Sequence, residues 1–248
     1  MVAARLFFTR KIYTKPMLSR DSIRDGVIYK MLQQHQHLND AVPKTTEERA
    51  ASLQATLADA PAGTLDSPED GDVWVFGYGS LIWNPAFHHT EKRRGRIYGY
   101  HRTYCIWTHL GRGTPDNPGL MLSLDRGGSC CGAAFRIAPD KLEEELSILW
   151  AREMVLDSYV PTWVTVHTSD GPVNGLTFTI DRNHRSYVGR LPPDVVADHL
   201  ATAEGYLGSS AEYLENTVVH LAELGIHDAT LTDLHRRVTR LRTAERGG

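Results

Sequence analysis

The stretch Val73-Trp74-Val75-Phe76-Gly77-Tyr78-Gly79-Ser80-Leu81-Ile82-Trp83-Asn84-Pro85 decides how this chain is read. Its first four residues are apolar or aromatic and rich in strand-forming types, which predicts a short buried strand. Gly77 and Gly79 bracket Tyr78 and allow a sharp turn, because glycine adopts backbone angles that other residues resist. Asn84-Pro85 ends whatever short turn follows. A strand that ends in Gly-Tyr-Gly-Ser presents several backbone N–H groups together, a nest suited to an anion such as a carboxylate. Three better-known uses of such a turn fail. A Walker-type phosphate loop needs Gly-Lys-Ser/Thr, and no lysine is present. The dinucleotide fingerprint needs a third glycine where Ile82 stands. A hydrolase nucleophile elbow needs glycine two residues either side of the serine, and Ser80 has Tyr78 and Ile82.

Outward from this stretch, the 248 residues suffice for one substantial core with extensions. The net charge of -3 gives no electrostatic case for nucleic acid or an anionic membrane as partner. No apolar run is long enough to span a bilayer as a helix. The three cysteines, Cys105, Cys130 and Cys131, are an odd set with one adjacent pair. That is a poor disulfide framework and favours a reducing, cytoplasmic setting. Twelve histidines invite a metal. The closest pairs, His35/His37 and His88/His89, lack a third ligand at a known spacing, so no metal or other cofactor is expected.

Residues 1–20 are basic and free of acids. They read either as a weak transit peptide or as a tail upstream of a true start at Met17. Residues 1–70 are expected to form a partly helical N-terminal extension. Thr45 and Glu48 make a capping box there, with Leu53 and Leu57 as its apolar stripe. An acidic linker occupies 60–72, and a compact domain is expected over 71–248. Within it, Arg93–Trp107 reads as one or two strands and Leu110–Gly119 as a functional loop. Leu120–Leu124 and Cys131–Ile137 read as strands joined by a turn at Asp125-Arg-Gly-Gly. Tyr159–Thr168 and Val173–Ile180 form a further hairpin. Between these hairpins a helix begins at Pro139. Its apolar stripe Leu142, Leu146, Leu149 and Trp150 continues onto Glu153. That carboxylate either pairs with Arg152 or reaches solvent at the helix end, or it serves a function that justifies its burial. After Asp181 the chain turns helical at Pro192–Glu204, Ala211–Leu224 and Ala229–Thr243. Ser209 and Glu212 make a capping box, and Leu231, Leu234, Val238 and Leu241 a stripe. Strands first and helices afterwards argue an α+β fold.

These residues together resemble the ChaC-type, glutathione-specific γ-glutamylcyclotransferases, most closely bacterial members. The resemblance rests on Val73–Pro85, Gly99-Tyr-His-Arg102, Arg112-Gly-Thr114 with Pro118-Gly119, Leu149-Trp-Ala-Arg-Glu-Met154, Asn174 and Ala211-Glu-Tyr-Leu214. It spans about residues 70–243. It implies a small mixed β-barrel of about five or six strands flanked by helices. It also implies cyclisation of glutathione to 5-oxoproline and cysteinylglycine, with the substrate's own α-amine as nucleophile. On that basis Glu153 is expected to be the general base and acid. The N–H groups of Tyr78, Gly79, Ser80 and Leu81 are expected to hold the substrate α-carboxylate, and Tyr159 and Tyr213 to line the glutamyl pocket. Arg112 is expected either to meet the glycyl carboxylate or to be a solvated loop arginine. Ser80 is expected to hydrogen-bond in the pocket, and the cysteines to be structural. Three other readings stay open: action on other γ-glutamyl amines or amino acids, a non-catalytic γ-glutamyl-binding protein, and a hydrolase built on Ser80.

Overall fold

A computed structural model describes residues 18–35, 42–65 and 73–247; the basic start at 1–16 and most of the acidic linker fall outside these. Strand β1 (Val73–Gly77) is buried along its whole length, which is why its apolar residues run on without alternating. Its residues face two ways. Trp74 and Phe76 join a cluster that takes Tyr78 from the following turn and its other members from the neighbouring strands. Val75 joins the larger cluster in which helices pack on the sheet.

Four further strands, β2 (Glu91–Thr108), β3 (Gly119–Ile137), β4 (Tyr159–Thr168) and β5 (Gly171–Ile180), close with β1 into a barrel of order β1-β3-β2-β4-β5. β1 pairs antiparallel with β3, Val73 opposite Ile137 and Gly77 opposite Ala133. It closes the barrel by parallel pairing with β5, Trp74 opposite Gly175. The mixed sheet expected from the resemblance is therefore present with five strands.

The hairpin expected at Asp125–Gly128 is absent. β3 runs through it as one strand against β2, with register shifts between Tyr98/Tyr100 and Tyr104/Ile106. The reason lies in the glycines. Gly127 (φ 99°) and Gly128 (φ 73°) take left-handed backbone angles inside the strand, facing Gly99 (φ 85°) on its partner. Positive φ on both strands bends the ribbon at a bulge instead of reversing it.

Helix α4 (Leu142–Glu153) starts after a 3-10 turn at Pro139–Lys141. Its buried face is wider than the predicted stripe and includes Glu145 and Ile148. Three helices follow β5: α5 (Pro193–Thr202), α6 (Ser210–Glu223) and α7 (Ala229–Gly247). Leu231, Leu234 and Val238 are buried as expected, whereas Leu241 is exposed. The Ser209 hydroxyl caps α6 by accepting from the Glu212 N–H. The Glu212 carboxylate turns instead toward Arg112 at 3.5 Å.

The N-terminal helices α1 (Arg20–Arg24), α2 (Val27–Gln34) and α3 (Thr46–Ala58) lie against the barrel domain. The Thr45–Glu48 capping box forms in full. The indoles of Trp150 and Trp163 donate to Ser52 and to the Thr56 carbonyl. Glu145 is the main anchor. Its carboxylate is fully buried and accepts from Arg20 at 2.7 Å and from the His88 N–H at 2.9 Å. Burial alone would raise its pKa; the Arg20 guanidinium and the His88 N–H outweigh that and hold it below the usual range. Arg20→Met strands this charge, and removing one partner of a buried pair costs roughly 3 kcal/mol. Urea denaturation followed by tryptophan fluorescence measures it; a loss under about 1 kcal/mol would show that the pair does not anchor the helices.

Candidate active site

The end of β1, the end of α4, the start of β4 and the first turns of α6 converge on one small cavity. It is lined by Tyr78, Gly79, Ser80, Leu81, Glu153, Tyr159 and Tyr213, together with Met121, Leu122 and Phe178. Seven of the eight residues picked out from the sequence thus share one wall. The eighth, Arg112, borders a larger groove of about 210 Å³ outside it. Ser80, Met121, Glu153, Tyr159 and Tyr213 border both spaces.

The turn after β1 becomes a 3-10 turn at Ser80–Ile82. The first N–H groups of a helical turn have no partner within it. Arg102, buried with 3 % of its side chain exposed, sets the orientation of this turn. Its guanidinium donates to the Tyr78 carbonyl at 2.5 Å and the Cys131 carbonyl at 2.9 Å. Asp228 holds it from the other side at 3.2 Å. In a planar trans peptide the N–H points opposite to the carbonyl. Fixing the Tyr78 carbonyl on Arg102 therefore directs the Gly79 N–H away from Arg102. The sequence placed Arg102 within a family motif but supplied no role for it, since its partners are distant in the chain.

Gly79 is required by a close approach. A Cβ there would stand 2.8 Å from the Tyr213 hydroxyl oxygen. Gly77 is similarly confined, 2.9 Å from the Leu81 Cβ by the same construction.

Glu153 is the last residue of α4, with 15 % of its side chain exposed. It pairs with Arg152, Nε to Oε1 2.9 Å, so the ion pair considered from the sequence is formed. The pair does not neutralise the effect of burial. Desolvation raises the Glu153 pKa, and the Arg152 charge and hydrogen bond only partly oppose it. Arg152 is itself committed elsewhere, donating to the Ser80 hydroxyl at 2.8 Å and the Asn84 carbonyl at 2.5 Å. One guanidinium thus ties the base-bearing helix end to the β1 turn.

Three phenols surround the carboxylate. Burial pushes the Tyr78, Tyr159 and Tyr213 hydroxyls up, and the Glu153 charge adds to each shift. They remain protonated at neutral pH and can donate hydrogen bonds. Ser80 has a guanidinium against its hydroxyl, and no histidine lines the inner cavity. A guanidinium cannot take its proton, so the Ser80 hydroxyl lacks the histidine partner of a serine nucleophile and is held as a hydrogen-bond acceptor.

Arg112 is not a solvated loop arginine. Its side chain is 11 % exposed, donates to the Ser209 carbonyl at 3.1 Å and sits 5.6 Å over the Tyr213 ring. Cys105 and Cys130 are buried, with thiols pushed up to about 12 and about 11 chiefly by desolvation. Among the described residues, no cluster of three or more His, Cys, Asp or Glu could hold a metal. No helix of these residues is long and apolar enough to cross a membrane.

Known proteins resemble this chain in sequence and in fold. The glutathione-specific gamma-glutamylcyclotransferase of Escherichia coli K12 is 43% identical over 198 residues, covering 79% of this chain and 83% of that protein. Glutathione-specific gamma-glutamylcyclotransferase 1 of Mus musculus is 34% identical over 167 residues, covering 64% and 75%. The crystal structure of a yeast γ-glutamyl cyclotransferase specific to glutathione superposes with a TM-score of 0.63 at 24% identity, covering 69% of this chain and 97% of that one. The family described as ChaC-like protein matches residues 73–241, from the first barrel strand into the last helix. The chain belongs to the ChaC-like family.

Proposed function

We propose that this protein cleaves glutathione by intramolecular cyclisation, releasing 5-oxoproline and cysteinylglycine. One observation carries the chemistry: a carboxylate of raised pKa, Glu153, borders the same cavity as the Tyr78–Leu81 turn, whose Ser80 hydroxyl is held by the Arg152 guanidinium. The names of the relatives support glutathione as the substrate.

The turn holds the substrate α-carboxylate through the N–H groups of Tyr78, Gly79, Ser80 and Leu81. Arg102 keeps that peptide plane in place. Glu153 accepts a proton from the α-ammonium and frees the amine. The amine nitrogen attacks the γ-carbonyl carbon, the protonated Glu153 gives its proton to the cysteinyl nitrogen, the C–N bond to cysteine breaks, and the ring nitrogen gives up its second proton through Glu153 to the released amine. Tyr159 and Tyr213 confine the glutamyl chain in its folded form. Holding amine and carbonyl together supplies up to roughly 7–11 kcal/mol, the range of well-oriented intramolecular reactions. Arg112 faces the glycyl end from the outer groove and shares its charge with Glu212. A glutathione substrate and three free cysteines both suit the reducing cytoplasm.

The test is turnover of glutathione and γ-glutamyl-alanine side by side. Release of cysteinylglycine from glutathione, with little or no 5-oxoproline from γ-glutamyl-alanine, is expected. The reverse preference would assign the site to γ-glutamyl amino acids. Binding of glutathione without any product would make it a binding protein.

A further inference from the structure

The outer groove, about 210 Å³, has a largely apolar lining. From Glu153 it runs between the barrel mouth and the N-terminal helices. A cluster of Leu32, Leu110 and Val155, with Ile28, Met31 and Leu156 packed on it, forms one side. Leu18 closes the wall, its carbonyl accepting from Asn84 at 3.0 Å. The Arg20–Glu145 pair fixes the helices that carry this surface. These helices lie before residue 73, upstream of the family match.

The position of the groove determines what enters it. With the γ-glutamyl group in the inner cavity and its amide at Glu153, the cysteinyl side leaves through the space that shares Glu153, Tyr159 and Tyr213, which is this groove. Cysteinylglycine has little apolar surface beyond one methylene and the thiol. An apolar group attached to the sulfur would supply it. His109, Arg112 and Arg185 also border the groove, so a cationic margin is present for the glycyl carboxylate.

We infer that the enzyme also accepts glutathione S-conjugates with apolar substituents, the α2 wall at Ile28, Met31 and Leu32 serving as the subsite for the S-substituent. This rests on the cyclisation proposed above and extends its substrate class. The chemistry is unchanged: the α-amine forms the new C–N bond, the amide C–N bond breaks, and Glu153 carries the proton between the two nitrogens. The products are 5-oxoproline and the S-substituted cysteinylglycine; no bond to sulfur is altered.

The test uses the full chain with glutathione and its S-methyl, S-butyl and S-hexyl derivatives. KM is expected to fall along the series, about tenfold from methyl to hexyl, a small part of what full burial of the added methylenes would give. Met31 is partly exposed, so Met31→Asn can fold, and it is expected to flatten the series. Glutathione turnover with S-hexylglutathione inert, or a KM independent of chain length, would overturn the inference and leave the parent activity standing. A steep series unchanged by Met31→Asn would overturn the assignment to the α2 wall. Absence of turnover with every substrate would overturn the cyclisation itself.

Discussion

Glu153→Gln is expected to lower kcat/KM for glutathione by roughly 10²–10⁴-fold, the range for loss of a positioned acid–base group. The amide keeps the shape of the side chain and can still hydrogen-bond, but it cannot take the ammonium proton. Stability should not fall with activity. Glu153 has a raised pKa in the fold despite its contact with Arg152. The folded state therefore binds the proton more tightly than the unfolded chain does. Above the folded pKa the ionised carboxylate weighs against folding, and that penalty disappears below the unfolded pKa. At neutral pH the glutamine variant is thus expected to melt at the same temperature or higher. A parallel loss of activity and a drop in Tm of more than about 4 °C, which is over 1 kcal/mol for a chain of this size, would mark Glu153 as structural.

The same shift fixes the acid limb of the pH–rate profile. kcat/KM should fall as pH drops through a value above the ordinary 4.5 of glutamate, because the base is then protonated. Arg152 opposes the shift, so Arg152→Met is expected to move that limb to still higher pH. A limb that stays in place, or moves down, would show that another group is being titrated.

Gly79→Ala is expected to cost about 10²-fold in kcat/KM. A misplacement near 1 Å can have such an effect on a reaction that depends on orientation. The added methyl would stand 2.8 Å from the Tyr213 hydroxyl, at the end of a rigid and buried ring. Either the phenol or the turn must move, and the first confines the glutamyl chain while the second holds its carboxylate in the proposed site. Tyr213→Phe combined with Gly79→Ala separates the causes. If the contact with the hydroxyl is responsible, adding Gly79→Ala to Tyr213→Phe costs much less than adding it to the wild type. Equal costs in both backgrounds would place the effect in the backbone alone.

The architecture was legible where neighbouring residues decide it. The apolar run 73–76 with glycines behind it is a fully buried strand and a tight turn. The leucine stripe of α4 does carry through to Glu153 at the cavity. Legibility failed where distant residues decide. Asp125-Arg-Gly-Gly has the composition of a hairpin turn, yet Gly127 and Gly128 bend a continuous strand because Gly99 bends beside them. Glu145 looks like an exposed helix acid and is buried because Arg20, 125 residues earlier, pairs with it. Glu212 fits a capping box and faces Arg112 instead. Residues 21–35 are polar in pattern, with no sign that Ile28, Met31 and Leu32 would border the groove beside Glu153.

The central claim is that the substrate's own amine, and not water or Ser80, attacks the γ-carbonyl. Turnover of glutathione in water enriched in ¹⁸O, with mass spectrometry of the acidic product, tests it most directly. Cyclisation predicts 5-oxoproline without ¹⁸O. Glutamate carrying one ¹⁸O in its γ-carboxylate would contradict it and return Ser80, or a water activated by Glu153, to the role of nucleophile.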